Sequence, residues 1–576
     1  MPSPQFTRAR RLAAATALAV SAGMLLATPA SAGSPAPRPG VDKERPAAQR
    51  SAAPQGLTAG RSADAGTASA ADADGTAPRG DFDGDGRSDL VYRELDGSLS
   101  LAGFVETAEF LRIGGSGEFA EDVIPIGDQD ADGAKRPEVL TLSVLGRLEL
   151  FTNVDISLGG NRSWSGLGWN IYNKVFSAGD VSGDGRPDLL ARTPAGELYV
   201  YLSTGNTAAP FGGRTKVGGG WQVYDQLIGL GDHDGDGRGD LVARTPAGEL
   251  KYYGSTGDAA KPFKPATSAG TGWQQFNQIL GADDLTGDGR PDLLARAKDG
   301  TLNRYEGSGQ GTFAQRVPVS DAGAWSGVSQ FGGAGNIPAS GKEELLARDK
   351  AGTLFWYYAL NNGKLSARQA VSDVGGWAGA NITNASSFDP NGESDVVELW
   401  SDHLYVEGRD RGAGWGIYNM FAGPGDLNGD GSGDLLARDR SGRLYLYRAS
   451  VDGSSFSSRV LVGGGWQAYN WIFGAGDYTN DGLNDLLART TSGALYLYPG
   501  TGQAATPFRS GIKLGDGFQA YGKLVGTGDL TGDGKADFVG VTSNGDLYRF
   551  DGGAASHYFS PRVKIGYGYQ IYNAMY

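Results

Sequence analysis

A nine-residue acidic pattern recurs along this chain at a nearly fixed interval. A repeat of about 20–50 residues restricts a sequence to solenoids, propellers and arrays. The clearest copy is Asp232-His233-Asp234-Gly235-Asp236-Gly237-Arg238-Gly239-Asp240. Ten copies align, with first positions Asp81, Asp128, Asp180, Asp232, Asp284, Asn336, Ser387, Asp426, Asp477 and Asp529. Most successive starts lie 51 or 52 residues apart.

Each full unit has one internal order, seen at 217–253. A glycine-aromatic segment, Val217 to Tyr224, comes first, followed by Leu227-Ile228-Gly229-Leu230 and then the acidic loop. Leu241-Val242-Ala243-Arg244, a Thr245-Pro246-Ala247-Gly248 turn, and Leu250-Lys251-Tyr252-Tyr253 complete it. Short β-type runs divided by turn residues read as four antiparallel strands. No stretch shows sustained helical periodicity. Four short strands per unit is the signature of a propeller blade. The expected fold is therefore all-β: a β-propeller of about ten four-stranded blades.

The ends suggest closure. The first unit lacks a Gly-Trp segment before its loop, and the last residues, Gly566 to Asn573, are an orphan copy of that segment. A C-terminal strand completing an N-terminal blade would remove exposed sheet edges. The loops of units 2, 6 and 7 are weak, and those of units 3–5 and 8–10 are strong. This five-unit super-period suggests two five-bladed propellers, repeats 1–5 over 80–335 and repeats 6–10 over 336–576. One larger ring is the alternative.

Ahead of the repeats, residues 1–32 read as a secretory signal peptide. Arg8, Arg10 and Arg11 precede an Ala/Leu-rich run ending near Ala30-Ser31-Ala32, too short for the ~20 apolar residues of a membrane span. Residues 33–79, rich in Ala, Pro, Gly and Ser, read as a disordered linker. Secretion is expected, with no membrane span in the mature chain. The net charge of −14 argues against a nucleic-acid partner, because phosphate binding needs basic patches. Cysteine is absent, which excludes disulfides and thiolate chemistry, and three histidines are too few for histidine-rich zinc sites.

The loops carry the chemistry. Carboxylates at positions 1, 3, 5 and 9, with Gly at 6, set four hard oxygen donors on one tight turn. Ca²⁺ takes about 6–8 oxygens, and glycine permits the bend. Units 1 and 4 have four Asp each: Asp81, Asp83, Asp85 and Asp89; Asp232, Asp234, Asp236 and Asp240. Unit 3 offers Asp180, Ser182, Asp184 and Asp188; unit 5 offers Asp284, Thr286, Asp288 and Asp292. Unit 8 has Asp426, Asn428, Asp430 and Asp434. Unit 9 has Asp477, Thr479, Asp481 and Asp485; unit 10 has Asp529, Thr531, Asp533 and Asp537. These seven loops are the expected calcium sites. Unit 2 has Asp128, Asp130 and Asp132, but its last acid, Glu138, falls two residues late. Units 6 and 7 have lost donors. Asp, Asn and Gly also favour plain turns, but seven copies with the same four positions favour metal. Without an ion, clustered carboxylates would raise one another's pKa values.

The stretch Gly179-Asp180-Val181-Ser182-Gly183-Asp184-Gly185-Arg186-Pro187-Asp188-Leu189-Leu190 and its copies resemble FG-GAP (VCBS) repeats, as in integrin alpha-subunit propellers and many secreted bacterial proteins. The resemblance covers about 80–576. It implies Ca²⁺ held between two strands of a blade. The Gly-Gly-Trp and Gly-x-Leu-Tyr segments are more loosely similar to tachylectin-type five-bladed lectins. Together these imply a binding or adhesion module for carbohydrate or cell-surface ligands. No nucleophile elbow or His-Ser-Asp constellation stands out, histidines are scarce and the repeats fill the folded region, so an enzyme is not expected. A secreted hydrolase of polysaccharides or esters, with its site in a propeller pocket, is the alternative.

Three surface features need structure to interpret. Arg238-Gly239-Asp240 spells an integrin-recognition tripeptide, but Asp240 is also a loop ligand. Trp169, Trp221, Trp273, Trp415 and Trp466, with Tyr172, Tyr224, Phe276, Tyr418 and Tyr469, are either sugar-stacking shelves or, more simply, blade-to-blade packing. Arg192, Arg244, Arg296, Arg348, Arg438 and Arg489 recur after the loops, and either pair with acids of a neighbouring blade or line a face.

Overall fold

The computed structural model describes residues 78–576 apart from 83–85, 95–98, 103–117, 119, 131–136, 156–158, 334–343, 390, 392–393 and 554–560. The expected signal peptide, and all of the linker except Pro78 and Arg79, lie outside the described residues.

The fold is all-β. Ten antiparallel sheets follow one another along the chain, nine four-stranded and one three-stranded among the described residues. They are the blades of a β-propeller architecture. A typical blade has strands Gln226–Gly231, Asp240–Arg244, Leu250–Tyr253 and Thr267–Gly270, paired in sequence order. The acidic loop joins the first strand to the second.

This blade differs from the sequence expectation in one respect. The glycine-aromatic segment is not a strand. Val217 and Gly218 end the outermost strand of the preceding blade, Thr215–Gly218, and Trp221–Val223 is one turn of 3-10 helix. Gly220 takes φ of +91°, a left-handed conformation that glycine adopts without steric cost. The Trp221 amide then donates to Gly196 O of the preceding hairpin at 3.0 Å. A long-range backbone bond thus ends the β run.

Strands run as continuous apolar segments because both faces are covered. In Asp188–Arg192, Leu189 and Ala191 pack toward blade 2, whereas Leu190 packs with Trp221, Leu227 and Leu241 of blade 4. The inner strands converge so closely that only glycine fits at their meeting points. A Cβ on Gly229 would lie 2.0 Å from Ser177 O, and one on Gly526 would lie 2.0 Å from Gly474 O.

Strand pairing at the ends departs from the expected closure. The inner edge of Leu90–Glu94 is taken by Val328–Phe331, which pairs Tyr92 with Phe331. The C-terminal strand, Tyr572–Met575, pairs with Glu344–Asp349 of the sixth blade, not with the first. The orphan segment completes a blade, but a mid-chain one. Blades 1–5 therefore begin and end in one sheet, and blades 6–10 in another. The two sets also touch: Asn277 Nδ2 donates to Asn361 O at 2.9 Å, and Asn170 Nδ2 to Gly429 O at 3.2 Å.

Candidate metal loops and the blade seams

In each well-described loop the position-1 carboxylate turns inward and accepts amides of the loop itself. Asp180 Oδ1 takes the Gly183 amide and Oδ2 the Gly185 amide, both at 2.6 Å. Asp232, Asp284, Asp426 and Asp529 repeat these bonds. Asp477 repeats the position-6 bond, to Gly482 at 2.8 Å. The glycines at 4 and 6 sit at positive φ, as in Gly235 (+77°) and Gly237 (+79°).

The position-9 carboxylate opens the second strand and is buried. One oxygen of Asp240 accepts the His233 and Asp234 amides and the Tyr252 hydroxyl; the other accepts the Ser255 amide at 2.8 Å. Asp188, Asp292, Asp485 and Asp537 likewise bind an amide fifteen residues on. Position 9 is thus a latch between loop, second strand and third strand.

Two loops bring three acids within 4.8 Å of one another: Asp232, Asp234 and Asp240, and Asp128, Asp130 and Glu138. Both groups could hold a metal ion. By spacing alone, the last acid of the second group falls two residues late. The Gln129 amide donates to Glu138 Oε2 at 2.8 Å, the bond that His233 gives Asp240, and Gly127 pairs with Glu138 as Gly231 pairs with Asp240. Glu138 is therefore the position-9 acid, delayed by an insertion. Its place at the head of an apolar strand (Glu138-Val139-Leu140) was the signal, and counting from the first acid hid it.

The position-5 acids pair away from the cluster, the Asp232 loop included, where Asp236 pairs with Arg238 at 2.6 Å. Asp184 pairs with Arg186 at 2.7 Å, Asp481 with Arg509 at 3.2 Å, and Asp533 with Lys535 at 2.9 Å. Asp288 and Asp430 accept the position-7 amides. At position 3, Ser182, Thr286 and Thr531 lie against the position-1 carboxylate, and the Asn428 amide faces Asp434. Thr479 Oγ1 and Asp236 Oδ1 are buried with no hydrogen-bond partner. Oxygens of this kind suit a hard cation, which would supply the missing partner. Asp81 accepts the Gly86 amide and Asp89 the Phe82 amide; Asp83 and Asp85 lie outside the described residues.

Burial, more than mutual repulsion, lifts the latch carboxyls. It pushes Asp188 to about 6, Asp240, Asp292 and Asp485 to about 7, and Asp434 to about 8. Neighbouring acids add to the shift. Asp477 and Asp529, at position 1, are also lifted to about 7, again with burial first.

The aromatic segments are seams, not shelves. The five Trp residues lie 5–8% exposed and wedge between blades. Trp273 meets Tyr305 at 4.4 Å between ring centroids, and Trp221 meets Tyr253 at 5.0 Å. Tyr172, Tyr224 and Tyr469 exchange hydroxyl bonds with Tyr201, Tyr253 and Tyr498. Trp325, Trp377, Phe518 and Tyr569 fill the same place in other blades, each donating its amide to a hairpin turn. The recurring arginines choose carbonyls over acids. Arg192 Nη1 donates to Trp221 O at 3.1 Å and Tyr224 O at 2.7 Å, closing the next blade's 3-10 turn. Arg244, Arg296, Arg348, Arg438 and Arg489 make corresponding bonds, and Arg244 alone adds an acid, Asp225. The Arg-Gly-Asp tripeptide is not displayed: Asp240 is fully buried.

Fold and loops together define an all-β propeller with repeated acidic turns. A family model described as FG-GAP-like repeat matches residues 180–243, 426–488 and 477–540, and the chain carries FG-GAP-like repeats at these places. No curated protein matches it. Among solved structures, the BP39L lectin from Burkholderia pseudomallei is 11% identical with a TM-score of 0.23, over 69% of this chain and 99% of that one. BBS1N in complex with ARL6DN is 13% identical with a TM-score of 0.21, over 50% of this chain and 81% of that one. Among the described residues no helix is long and apolar enough to cross a membrane.

Proposed function

We propose that this chain is a secreted binding module whose blades are clipped by Ca²⁺, arranged as two five-bladed propellers over 80–335 and 336–576. The convergence of Asp232, Asp234 and Asp240 carries the metal reading. Asp83 and Asp85 with Asp81 and Asp89, and the corresponding sets of units 3, 5, 8, 9 and 10, complete the seven sites; Asp128, Asp130 and Glu138 add an eighth. Bound Ca²⁺ would supply a charge that neutralises each cluster, while the latch acid holds loop to strand. The two-ring reading draws support from the two separate closing pairs, Val328–Phe331 with Leu90–Glu94 and Tyr572–Met575 with Glu344–Asp349. Secretion rests on the features of residues 1–32.

The ligand is proposed to be a glycan or a cell-surface protein. Because the seam tryptophans are buried, the contact surface would lie on exposed apolar residues that recur beside them. Leu167, Ile171, Val223, Ile417, Tyr567 and Ile571 all stand out from the glycine-aromatic turns. A glycan array probed with and without Ca²⁺ tests this reading. Ca²⁺-dependent binding that weakens in Tyr567→Ser supports it; turnover of a bound polysaccharide, with no retained complex, would replace it with the hydrolase alternative.

A further inference from the structure

Three residues that depart from the repeat pattern meet at one point. Position −1 of the loop is glycine in six sister blades, at φ between +65° (Gly528) and +100° (Gly425). Blade 5 has Asp283 there instead, held at φ +48°. Position 8, which is Pro187, Gly239, Pro291, Gly433, Asn484 or Ala536 in the other strong loops, is Ser88 in unit 1, a serine shared with Ser394 of the weak unit 7. The Ser88 hydroxyl donates to Asp283 Oδ2 and accepts the Gly80 amide at 3.2 Å. The third departure, Arg79, precedes the first repeat.

Arg79 lies across this point. Its amide donates to Asp283 Oδ2 at 2.9 Å, and its guanidinium reaches Asp283 Oδ1 from Nε at 2.8 Å and from Nη2 at 2.7 Å. Nη1 donates to Ser177 O at 3.0 Å and Nη2 to Gly229 O at 3.3 Å. The fork thus spans blades 3, 4 and 5, with Asp283 itself bonded to blade 1. Its side chain is 14% exposed. It lines a cavity of about 60 Å³ bordered by all five blades, among them Val91, Ile124, Ser177, Ile228 and Leu280.

Left-handed φ disfavours most side chains but tolerates aspartate; where sister blades keep glycine, Asp283 places a carboxylate that takes bonds from Arg79 and Ser88. Nε and Nη2 converge on one carboxylate oxygen while Nη1 and Nη2 also reach two carbonyls; a planar guanidinium presents these spread donors together, and a compact ammonium cannot. We propose that the central mouth of blades 1–5 is a guanidinium-binding site filled in cis by Arg79, and that this occupant plugs the channel and fixes where the N-terminal segment leaves the ring. The site keeps that channel from serving as an open ligand pocket.

Chemical rescue tests it on the full chain. Arg79→Ala is expected to lower the first thermal transition by roughly 5–10 °C. Millimolar methylguanidinium should restore most of that loss, and methylammonium none. Asp283→Gly restores the sister-blade residue and avoids strain; combined with Arg79→Ala it should abolish rescue. Arg79→Lys should keep less than half of the lost stability. If Arg79→Ala does not fold, its refolding yield should depend on methylguanidinium in the same way. An unchanged melting temperature in Arg79→Ala, equal rescue by methylammonium, or rescue persisting with Asp283→Gly would each overturn the proposal.

Discussion

At the scale of single residues, the latch acids set the pH response. Burial raises Asp240, Asp292 and Asp485 from the ordinary 3.8 to about 7 in the metal-free fold. The folded state then binds protons more tightly than the unfolded chain between these values. Stability from these groups is full below about pH 4 and lost as pH rises through 7. Chelated protein should therefore melt higher at about pH 5 than at about pH 8. Calcium needs ionised ligands, so the loaded protein should show the reverse trend across the same window. Calorimetry in both states checks this, and parallel pH profiles with and without metal would refute it. A second residue-level outcome concerns Asp234, an exposed acid whose carboxylate accepts a long contact from Lys264 at 3.3 Å. Asp234→Ala should reduce the calcium stoichiometry by one in titration calorimetry while leaving the chelated melting temperature nearly unchanged. The loop residues were legible in sequence because a cation needs particular donors at particular places. Glu138 was not, because an insertion shifts its count while strand register keeps its place.

At the scale of elements, the seams between blades matter more than any strand. Each seam joins an arginine, a 3-10 turn and a buried aromatic. Arg244→Met would orphan the Trp273 and Phe276 carbonyls and strip Asp225 of its partner. The expected cost is about 2–5 kcal/mol, read from urea unfolding of the region. Trp221→Ala should cost about 3–5 kcal/mol, as for a large core ring. A near-neutral result would mean that the tryptophan serves a ligand and not the seam. Strand number and blade size followed from apolar runs and turn residues. The 3-10 turns did not, because their stop depends on Gly220 and on a bond to Gly196 O, far away in sequence. The same holds for the arginines, whose carbonyl partners lie about thirty residues on.

At the scale of the whole molecule, closure is the governing feature. Tyr576 and Leu346 exchange backbone bonds at 2.8 and 3.3 Å, tying the C-terminus to blade 6. Removing residues 572–576 should leave an open sheet edge there, so blades 6–10 become protease-sensitive while blades 1–5 keep their transition. Loss of both together would indicate one ring. The period and the orphan end segment were visible in sequence, but its partner was not: near-identical segments give strand pairing no sequence address. The loops of the two halves also differ in setting. A Cβ on Gly237 or Gly287 would meet nothing within 4 Å, whereas one on Gly482 would lie 2.7 Å from Pro194 of the other half. Metal in the second set would thus steady the contact between halves. The most direct test is elemental analysis of the purified, dialysed chain alongside its melting curve. The expected result is about seven or eight calcium ions per chain and a marked drop in melting temperature on chelation. Absence of stoichiometric calcium, with a melting curve indifferent to both chelator and added Ca²⁺, would contradict it.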